Sequence, residues 1–427
     1  MYTYKLLART LVCVSAAVLA EAAPPGTLNE LLEVAARENR ELRAVRERLE
    51  EAKGALRQAG VRPAPALEVN GASGNPLGSP AENQFSVGVS QMLETAGKRS
   101  RRLEVARQQL ALAEAEYGER ARQLRFELSS RYADFVSESE RLRALERLIE
   151  INRRSLELTR ARVEKGDAAA LDASLIAVEI SRVEALRAST LGRQGAARID
   201  LARLAGVAEA DLGTLAWFAV PELDRFHEED LSARALRARP DLQAMRYIEK
   251  RAGAETQLTL AEGRPNITVS AGYSRIYSRF DFYGLDDAGA RVPLKDRDDI
   301  LALGVSIPLS GQGRNRGNVE ASAARARAAR LRREYLERSI PLEVASAWRR
   351  WRNSIGALRA LSGAAIEQAE KNVEVIRGAY QLGNLRLLDV LNEQRRLLDM
   401  QLAAVDVRAD ALRGFFELER AVGEDLP

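Results

Sequence analysis

Apolar residues recur every three and four positions over most of this chain, which is the period of an amphipathic α-helix. The longest such stretch runs from Lys98 to Lys165 without a proline, and its only glycine is Gly118. At about 1.5 Å per residue, this stretch predicts a helix roughly 100 Å long. No single globular core needs a helix of that length, so the pattern indicates long helices packed side by side.

Shorter helical stretches flank the long helix and recur in the second half of the chain. One is predicted over about 30–60, and a returning helix is predicted over about 167–207. Together they hold about as many residues as the long helix, so they could lie end to end along it. The second half repeats this order in three stretches, at about 229–262, 314–382 and 384–422.

Four short segments alternate apolar residues with small or polar ones, and they lie at 67–71, 84–90, 267–277 and 301–307. This alternation is typical of outer-membrane barrel strands, with a soluble antiparallel sheet as the alternative. The polar stretches 71–83 and 278–298 are predicted to be extracellular turns. The smallest membrane barrels need about eight strands, and open sheet edges are not tolerated in lipid. Either the strands lie outside a membrane, or several chains pool them, in which case three chains would supply twelve.

The two halves of the chain resemble each other at a constant offset. Gly166, Leu171 and Asp172 align with Gly383, Leu388 and Asp389, and further matches follow towards the ends of both halves. A unit of about 200 residues has therefore been duplicated. The predicted organisation is a signal peptide over 1–22, a first repeat over 23–207, an equatorial linker over 208–228 and a second repeat over 229–427.

The first residues carry the pattern of an export signal. Lys5 and Arg9 precede a short apolar run, and Ala20-Glu21-Ala22 offers a cleavage site. The run is too short to cross a bilayer as a helix, so a secretory signal peptide is predicted. Cys13 lies inside the run, and lipidation there is an alternative that Val12, in place of a small residue, disfavours.

Composition excludes several classes of function. Charged residues make up 30% of the chain, but acidic and basic ones are interleaved and the net charge is only +4. Interleaved charge indicates solvated helix faces rather than a nucleic-acid surface. With one cysteine and one histidine, His227, the chain lacks the residues for a Cys/His metal site or a familiar nucleophilic triad. We therefore predict no enzyme activity, no catalytic residue, no bound metal and no cofactor.

Taken together, these features resemble the TolC-type outer-membrane efflux proteins. Local motifs are similar to their CzcC-like, heavy-metal branch, namely QMLETAGKRSRR (91–102), ARPDLQAM (238–245) and VSIPLSGQGRNRGNVEASA (305–323). The resemblance implies a mainly α fold with a small β part. Three chains would form a helical tube and a 12-stranded outer-membrane β-barrel, with the tube in the periplasm.

The resemblance also implies partners and cargo. The homotrimer would sit in outer-membrane lipid and dock through a periplasmic adaptor protein onto an inner-membrane RND-type pump. It would be a passive exit duct, with divalent cobalt, zinc or cadmium as the favoured cargo. Drug efflux and type I protein secretion are alternatives with the same fold, and a periplasmic coiled-coil scaffold is an alternative of another class.

Two helix tips and a gate complete the sequence-based expectations. Each predicted tip contains a glycine, which suits a tight turn between antiparallel helices. The resemblance implies that the tips contact the adaptor. It also implies a periplasmic gate, in which Asp172 and Tyr380 form a hydrogen-bonding pair, Arg386 constrains the closed state, and Asp389 with Asn392 forms a ring. Asn392 stands where the family usually has aspartate. The predicted tip residues are Gly166, Asp167, Leu382, Gly383 and Asn384.

Overall fold

The computed structural model describes residues 26–74, 76, 82–217, 219–220, 226–309, 315–361, 363–382 and 384–426. The predicted signal peptide over 1–22 lies outside these residues. In chain order the elements are α1 (Leu28–Glu38), α2 (Arg40–Ala59), β1 (Ala66–Ser73), β2 (Glu82–Leu93), α3 (Lys98–Glu164), α4 (Ala170–Ala205), α5 (Glu228–Ala238), α6 (Pro240–Glu262), β3 (Ile267–Leu285), β4 (Arg291–Ser306), α7 (Arg316–Ala360), α8 (Gly363–Gln381) and α9 (Leu387–Val422).

The long helix α3 is the axis around which the other helices pack. It has 67 residues and is therefore roughly 100 Å long, as predicted. The helices α2 and α4 of the same repeat pack against it, and so do α6 and α9 of the second repeat. Each of these neighbours covers only part of α3. This one continuous helix therefore contacts helices of both repeats.

The predicted helices over 30–60 and 229–262 are each broken once, which corrects the sequence-based expectation. The breaks fall at Asn39 and Arg239, which both have extended backbone angles. The Asn39 side chain accepts a hydrogen bond from the amide of Leu42 at 2.9 Å and so starts a new helix. Pro240 follows Arg239, and the residue before a proline is sterically excluded from the helical region.

The two breaks are held by equivalent contacts, which is the clearest structural trace of the duplication. Asn39 Nδ2 donates to the carbonyl oxygen of Leu204 at 2.8 Å. Arg239 Nη1 donates to the carbonyl oxygen of Ala421 at 3.3 Å. Leu204 and Ala421 occupy the same place near the ends of α4 and α9, so each returning helix closes against the break in its own repeat.

The helix predicted over 314–382 is also interrupted, because α7 ends at Ala360 and α8 begins at Gly363. Leu361 leaves the helical region with φ −86° and ψ 39°. Pro341, in contrast, lies inside the unbroken α7.

The described residues form four strands, which pair in one antiparallel sheet in the order β1-β2-β3-β4. The predicted turn over 278–298 is wrong, because β3 runs to Leu285 and β4 starts at Arg291. Strands β3 and β4 pair through backbone hydrogen bonds, which form whatever the polarity of the side chains. The polar composition of this stretch therefore did not indicate a turn. The real turn lies between these strands, where Asp286 Oδ1 accepts from the amides of Ala288 and Ala290 at 3.0 and 2.8 Å.

The register of the sheet separates the side chains onto two faces. One face carries small and polar residues such as Ser86, Gly88, Gly272 and Ser274. The other face carries an apolar band. Its members are Leu67, Val69, Val87, Val89, Val269, Ala271, Tyr273, Leu301, Leu303 and Val305.

A short segment after α4 crosses the middle of α3. Leu212 and Leu215 are buried there, and the Tyr132 hydroxyl on α3 donates to the carbonyl oxygen of Ala216 at 2.6 Å. Trp217 packs against both large apolar clusters of the protein, and the guanidinium of Arg408 lies 4.4 Å from its ring centre. This crossing therefore ties the cores of the two repeats together.

Within the described part of the chain, none of the helices combines the length and the apolar character required to span a membrane.

Candidate functional site

The tip between α3 and α4 is closed by a helix-capping motif. Gly166 has a φ of +80°, in the left-handed region where glycine is favoured. The amide of Asp167 donates to the carbonyl oxygen of Arg162 at 2.8 Å, and that of Gly166 donates to Val163 at 3.0 Å. These two bonds define a Schellman motif, which ends the helix and reverses the chain.

The tip between α8 and α9 has the corresponding long bond. The amide of Asn384 donates to the carbonyl oxygen of Ala379 at 2.9 Å. Gly383, predicted as the turn residue, lies outside the described residues. Leu382 exposes 79% of its surface, and Leu171 beside the other tip exposes 65%. Both tips therefore present an apolar side chain to the surroundings.

The two predicted gate aspartates occupy the same place in the two repeats. Asp172 is the third residue of α4 and Asp389 is the third residue of α9, and both are half-buried. Their amides donate to the carbonyl oxygens of Ala169 and Arg386, each at 3.0 Å. Asp389 also accepts from the amide of Arg386 at 3.1 Å, which fixes the start of α9. A carboxylate in the first turn is favoured by the helix dipole.

An apolar cluster brings the two tips together. Ile176 and Ile180 on α4 contact Leu387 and Leu391 on α9, and Tyr380 packs against this cluster. The guanidinium of Arg162 lies 5.7 Å from the centre of the Tyr380 ring. The cluster therefore couples the end of α3, the end of α8 and both returning helices.

The predicted gate residues are only partly joined within one chain. Arg386 and Asn392 are exposed, whereas Tyr380 is half-buried. No hydrogen bond between Asp172 and Tyr380 occurs among the contacts of the described residues. The structure thus brings Tyr380 to the tip cluster, and it leaves Arg386 and Asn392 on the surface.

A buried ion pair near the tips was missed by sequence reasoning. Glu179 on α4 is only 2% exposed and accepts from Arg395 on α9 through Nη2 at 2.6 Å and Nε at 3.0 Å. Arg182, one turn further along α4, donates to the same carboxylate at 2.6 Å. This pair is a direct charged connection between the two returning helices.

The charge state of Glu179 follows from these contacts. Burial by itself raises the pKa of the carboxyl, but the hydrogen bonds from Arg182 and Arg395 outweigh burial and lower the pKa below its usual value. Glu179 therefore stays ionised, and both arginines stay bound to it.

A signal for Glu179 was present in the sequence. It lies on the apolar stripe of α4 that also contains Ile176, Ile180 and Val183, all of which are buried. A carboxylate on such a stripe must be paired. The partner Arg395 is 216 residues away, so periodicity could have indicated the need for a partner but not which residue it is.

The match to a family model of outer membrane efflux proteins covers residues 31–207 and 231–424, which is most of the chain. The chain belongs to the outer membrane efflux protein family. A curated relative is the cobalt-zinc-cadmium resistance protein CzcC of Cupriavidus metallidurans. It is 25% identical over 411 residues, which cover 94% of this chain and 91% of the relative.

Solved structures of outer membrane efflux proteins share this fold. The outer-membrane channel OprN superimposes with a TM-score of 0.75 at 21% identity, over 93% of this chain and 90% of OprN. CusC, whose crystal structures concern transmembrane channel formation, gives a TM-score of 0.73 at 20% identity, over 93% of this chain and 92% of CusC. The long-helix fold with a small antiparallel sheet and an internal duplication is therefore confirmed.

Membership of the outer membrane efflux protein family also decides the class of activity. The family consists of efflux proteins, and the matched structures are channels rather than enzymes. Within the described residues, His, Cys, Asp and Glu side chains form no group of three or more that could hold a metal ion.

Proposed function

We propose that this chain is one subunit of a trimeric outer-membrane exit duct in a tripartite efflux system. The sheet carries this proposal, because one of its faces is an apolar band and β1 and β4 are its two outer strands. Unpaired strand edges are not tolerated in lipid, so the sheets of several subunits have to join edge to edge. Three sheets of four strands give a closed barrel of twelve.

The helices support the periplasmic half of the proposal. The strands run directly into the long helices, since β2 is followed by α3 and β4 by α7. A helix of 67 residues extends roughly 100 Å from the sheet. Three such subunits side by side would line a tube that reaches from the outer membrane towards the inner-membrane pump.

The gate of the duct is proposed at Asp172, Tyr380, Arg386, Asp389 and Asn392. All five lie at or near the tips farthest from the sheet, and the apolar cluster with Tyr380 holds the returning helices together there. Three-fold symmetry would bring three copies of each carboxylate towards one axis. Like charges that approach each other disfavour the closed state unless they are paired or hydrated.

The conductance of single channels in planar bilayers tests the gate. Asp172→Ala and Tyr380→Ala should each raise the conductance, because each removes one partner of the proposed Asp172–Tyr380 hydrogen bond, which would hold the closed state against the repulsion between the Asp389 carboxylates. Asp399→Ala is the control, since Asp399 is an exposed carboxylate ten positions beyond Asp389 on α9. A conductance equal to that of the parent chain in both gate variants would contradict the assignment.

The tips are proposed to contact a periplasmic adaptor protein. Gly166, Asp167, Leu382 and Asn384 lie at the two chain reversals, and the fifth predicted tip residue, Gly383, is outside the described residues. The large exposure of Leu382 supports a protein partner, because apolar side chains at the end of a long helical hairpin have no core of their own to cover them.

Divalent heavy-metal cations are the proposed cargo, delivered by an RND-type pump in the inner membrane. The support is the likeness to the cobalt-zinc-cadmium resistance protein CzcC over nearly the whole chain. The channel itself needs no strong binding site for its cargo, since the pump would select it.

Two measurements test the function. The protein should fractionate with the outer membrane and migrate differently on gels before and after heating, which a periplasmic scaffold would not do. A deletion strain should lose tolerance to zinc, cobalt or cadmium. Loss of drug tolerance or of protein secretion with metal tolerance intact would replace the proposed cargo and leave the duct in place.

A further inference from the structure

A set of cationic side chains lies beyond the apolar band, on the same face of the sheet. The last pair of the band is Tyr273 with Leu301, and the next three pairs towards the turn are Arg275 with Asp299, Tyr277 with Arg297, and Arg279 with Lys295. We call Arg275, Arg279, Lys295 and Arg297 the cationic rim. These three pairs hold four cations and one carboxylate, so their net charge is +3.

The geometry of the rim is partly fixed by Asp299. Its Oδ1 accepts from Arg275 Nε at 2.7 Å, its Oδ2 lies 3.2 Å from Arg297 Nη2, and it also accepts from the Tyr273 hydroxyl. The side chains of Arg275 and Arg297 remain 33% and 51% exposed. One carboxylate compensates only one of these two positive charges, so the three groups together keep a net charge of +1 and exposed guanidinium donors for an outside partner.

Arg279 and Lys295 extend the rim further from the band. Both are exposed, and neither makes an ion pair with a carboxylate among the described side chains. The neighbouring positions of β2 on this face, Phe85 and Asn83, are uncharged. The positive charge of the rim on β3 and β4 is therefore not offset by β2.

The opposite face at the same height carries the opposite charge. Ile276 pairs with Asp298, and Ser278 pairs with Asp296 on one side and with Glu82 on the other. These pairs contain three carboxylates and no cation. The two faces therefore carry opposite net charges at this end of the sheet, and the positive charge is confined to the face that bears the apolar band.

We infer that the cationic rim binds the phosphate groups of a phosphorylated glycolipid in the outer leaflet of the membrane. This inference rests on the proposed outer-membrane location. The apolar band between Ile267 and Tyr273 extends about 20 Å along β3, which suits the acyl chains of such a lipid. Tyr273 and Tyr277 stand at the boundary, where tyrosine rings favour the headgroup level.

The chemistry of the rim favours phosphate over other anions of the lipid surface. A guanidinium group donates two parallel hydrogen bonds to a phosphate, and a lysine adds a point charge. The three arginines and one lysine of the rim are spread over β3 and β4 and would bridge two phosphates of one headgroup. A free phosphate would meet the same donors but could not use the adjacent apolar band, so the lipid is the occupant that fits both features.

Binding to the purified full-length protein in detergent tests the inference. The probes are a hexa-acylated glycolipid with two phosphates, the same glycolipid without phosphates, phosphatidylglycerol and inorganic phosphate. The two-phosphate glycolipid should bind most tightly. Arg279→Gln/Lys295→Gln should weaken it about 25-fold, since each cation near a lipid surface contributes about fivefold.

Matched variants identify the source of any change. Asp296→Asn/Asp298→Asn alters charge at the same height on the other face and should leave binding unchanged. Arg279→Lys/Lys295→Arg keeps the charge and should retain binding. Equal binding of the phosphorylated and dephosphorylated glycolipids overturns the inference, as does competition by inorganic phosphate at the affinity of the glycolipid, or equal weakening by the Asp296/Asp298 variant.

Outer-membrane fractionation and heat-dependent gel migration of the parent protein distinguish a failure of this inference from a failure of the proposed function. A protein that is absent from the outer membrane and unchanged by heating on gels overturns both. A protein that passes those tests but binds lipid without regard to phosphate overturns the rim alone.

Discussion

The ion pair between Glu179 and Arg395 should control how easily the two returning helices separate near the tips. The change to make is Arg395→Gln, which removes the charge and keeps a polar side chain. Arg395 donates two hydrogen bonds to one carboxylate oxygen of Glu179, whose side chain is only 3% exposed. A hydrogen bond to a charged, buried group contributes about 1.5–3 kcal/mol.

The expected cost lies at the lower end of this range. Arg182 Nε still donates to both Glu179 oxygens at 3.1 Å after the change. The Arg395 side chain is also 44% exposed, so water screens part of the interaction. We therefore expect a loss of about 1.5 kcal/mol, which is roughly a tenfold increase in the population of locally open states.

Hydrogen exchange of peptides from the first turns of α4 and α9 measures this population. Arg396→Gln is the matched control, since Arg396 is 74% exposed and, among the described residues, its side-chain partner is Glu393, one turn away at 3.0 Å. It should change exchange less than twofold, because exposed pairs of this kind contribute little. Combining Glu179→Gln with Arg395→Gln should cost less than the sum of the single changes, since the two residues share one interaction.

The pair also predicts a dependence on pH. Because the Glu179 pKa is lowered in the folded chain, its contribution is present above the ordinary carboxyl pKa and is lost as the pH falls through the lowered value. Exchange in the parent protein should therefore rise in acid, and the rise should be smaller in Arg395→Gln. Exchange in Arg395→Gln that stays within twofold of Arg396→Gln would refute the reasoning.

Two further changes, Gly206→Ala and Glu419→Gln, test the packing near the ends of α4 and α9. Gly206→Ala should lower stability by about 2–3 kcal/mol, because Gly206 has a φ of +77° and a Cβ there would lie 2.7 Å from the carbonyl oxygen of Glu38. Gly192→Ala, with open space around it, should be neutral or slightly stabilising, and thermal unfolding followed by circular dichroism compares the two. Glu419 lines a cavity of about 280 Å³, and burial raises the pKa of its carboxyl to about 7 although the amide of Leu426 donates to it. The raised pKa costs stability as the pH rises from about 4.5 to about 7, by about 3 kcal/mol, so Glu419→Gln should flatten this part of the pH profile; an unchanged profile would contradict the assignment.

Much of the architecture followed from the sequence because it depends on local periodicity. The 3.6-residue period predicted α3 within one residue of its observed end, and the alternating segments predicted all four strands. The glycine at the first tip was also readable, since the reversal requires a left-handed residue and Gly166 supplies it. The family resemblance is confirmed by the match to the outer membrane efflux protein model over most of the chain.

The errors fell where local pattern and tertiary contact disagree. The break at Asn39 is stabilised by a hydrogen bond to the distant carbonyl of Leu204. Much of the stretch 278–298 forms paired strands, because backbone hydrogen bonds between β3 and β4 do not depend on its polar side chains. The equatorial linker and the boundaries of the repeats remain predictions, as do the roles of the gate residues. No hydrogen bond within the chain joins Asp172 to Tyr380 among the described residues.

The sequence by itself determined the helical or strand periodicity of each element, the duplication and the family. These are properties of neighbouring residues and of sequence motifs that recur along the chain. Only the tertiary structure decided which distant residues meet. It joined Glu179 to Arg395 across 216 positions, and it set the strand register that sorts the cations of the rim and the carboxylates of Asp296 and Asp298 onto opposite faces. The physical reason is that pairing across the fold depends on register and on helix packing, and neither is encoded in any one segment.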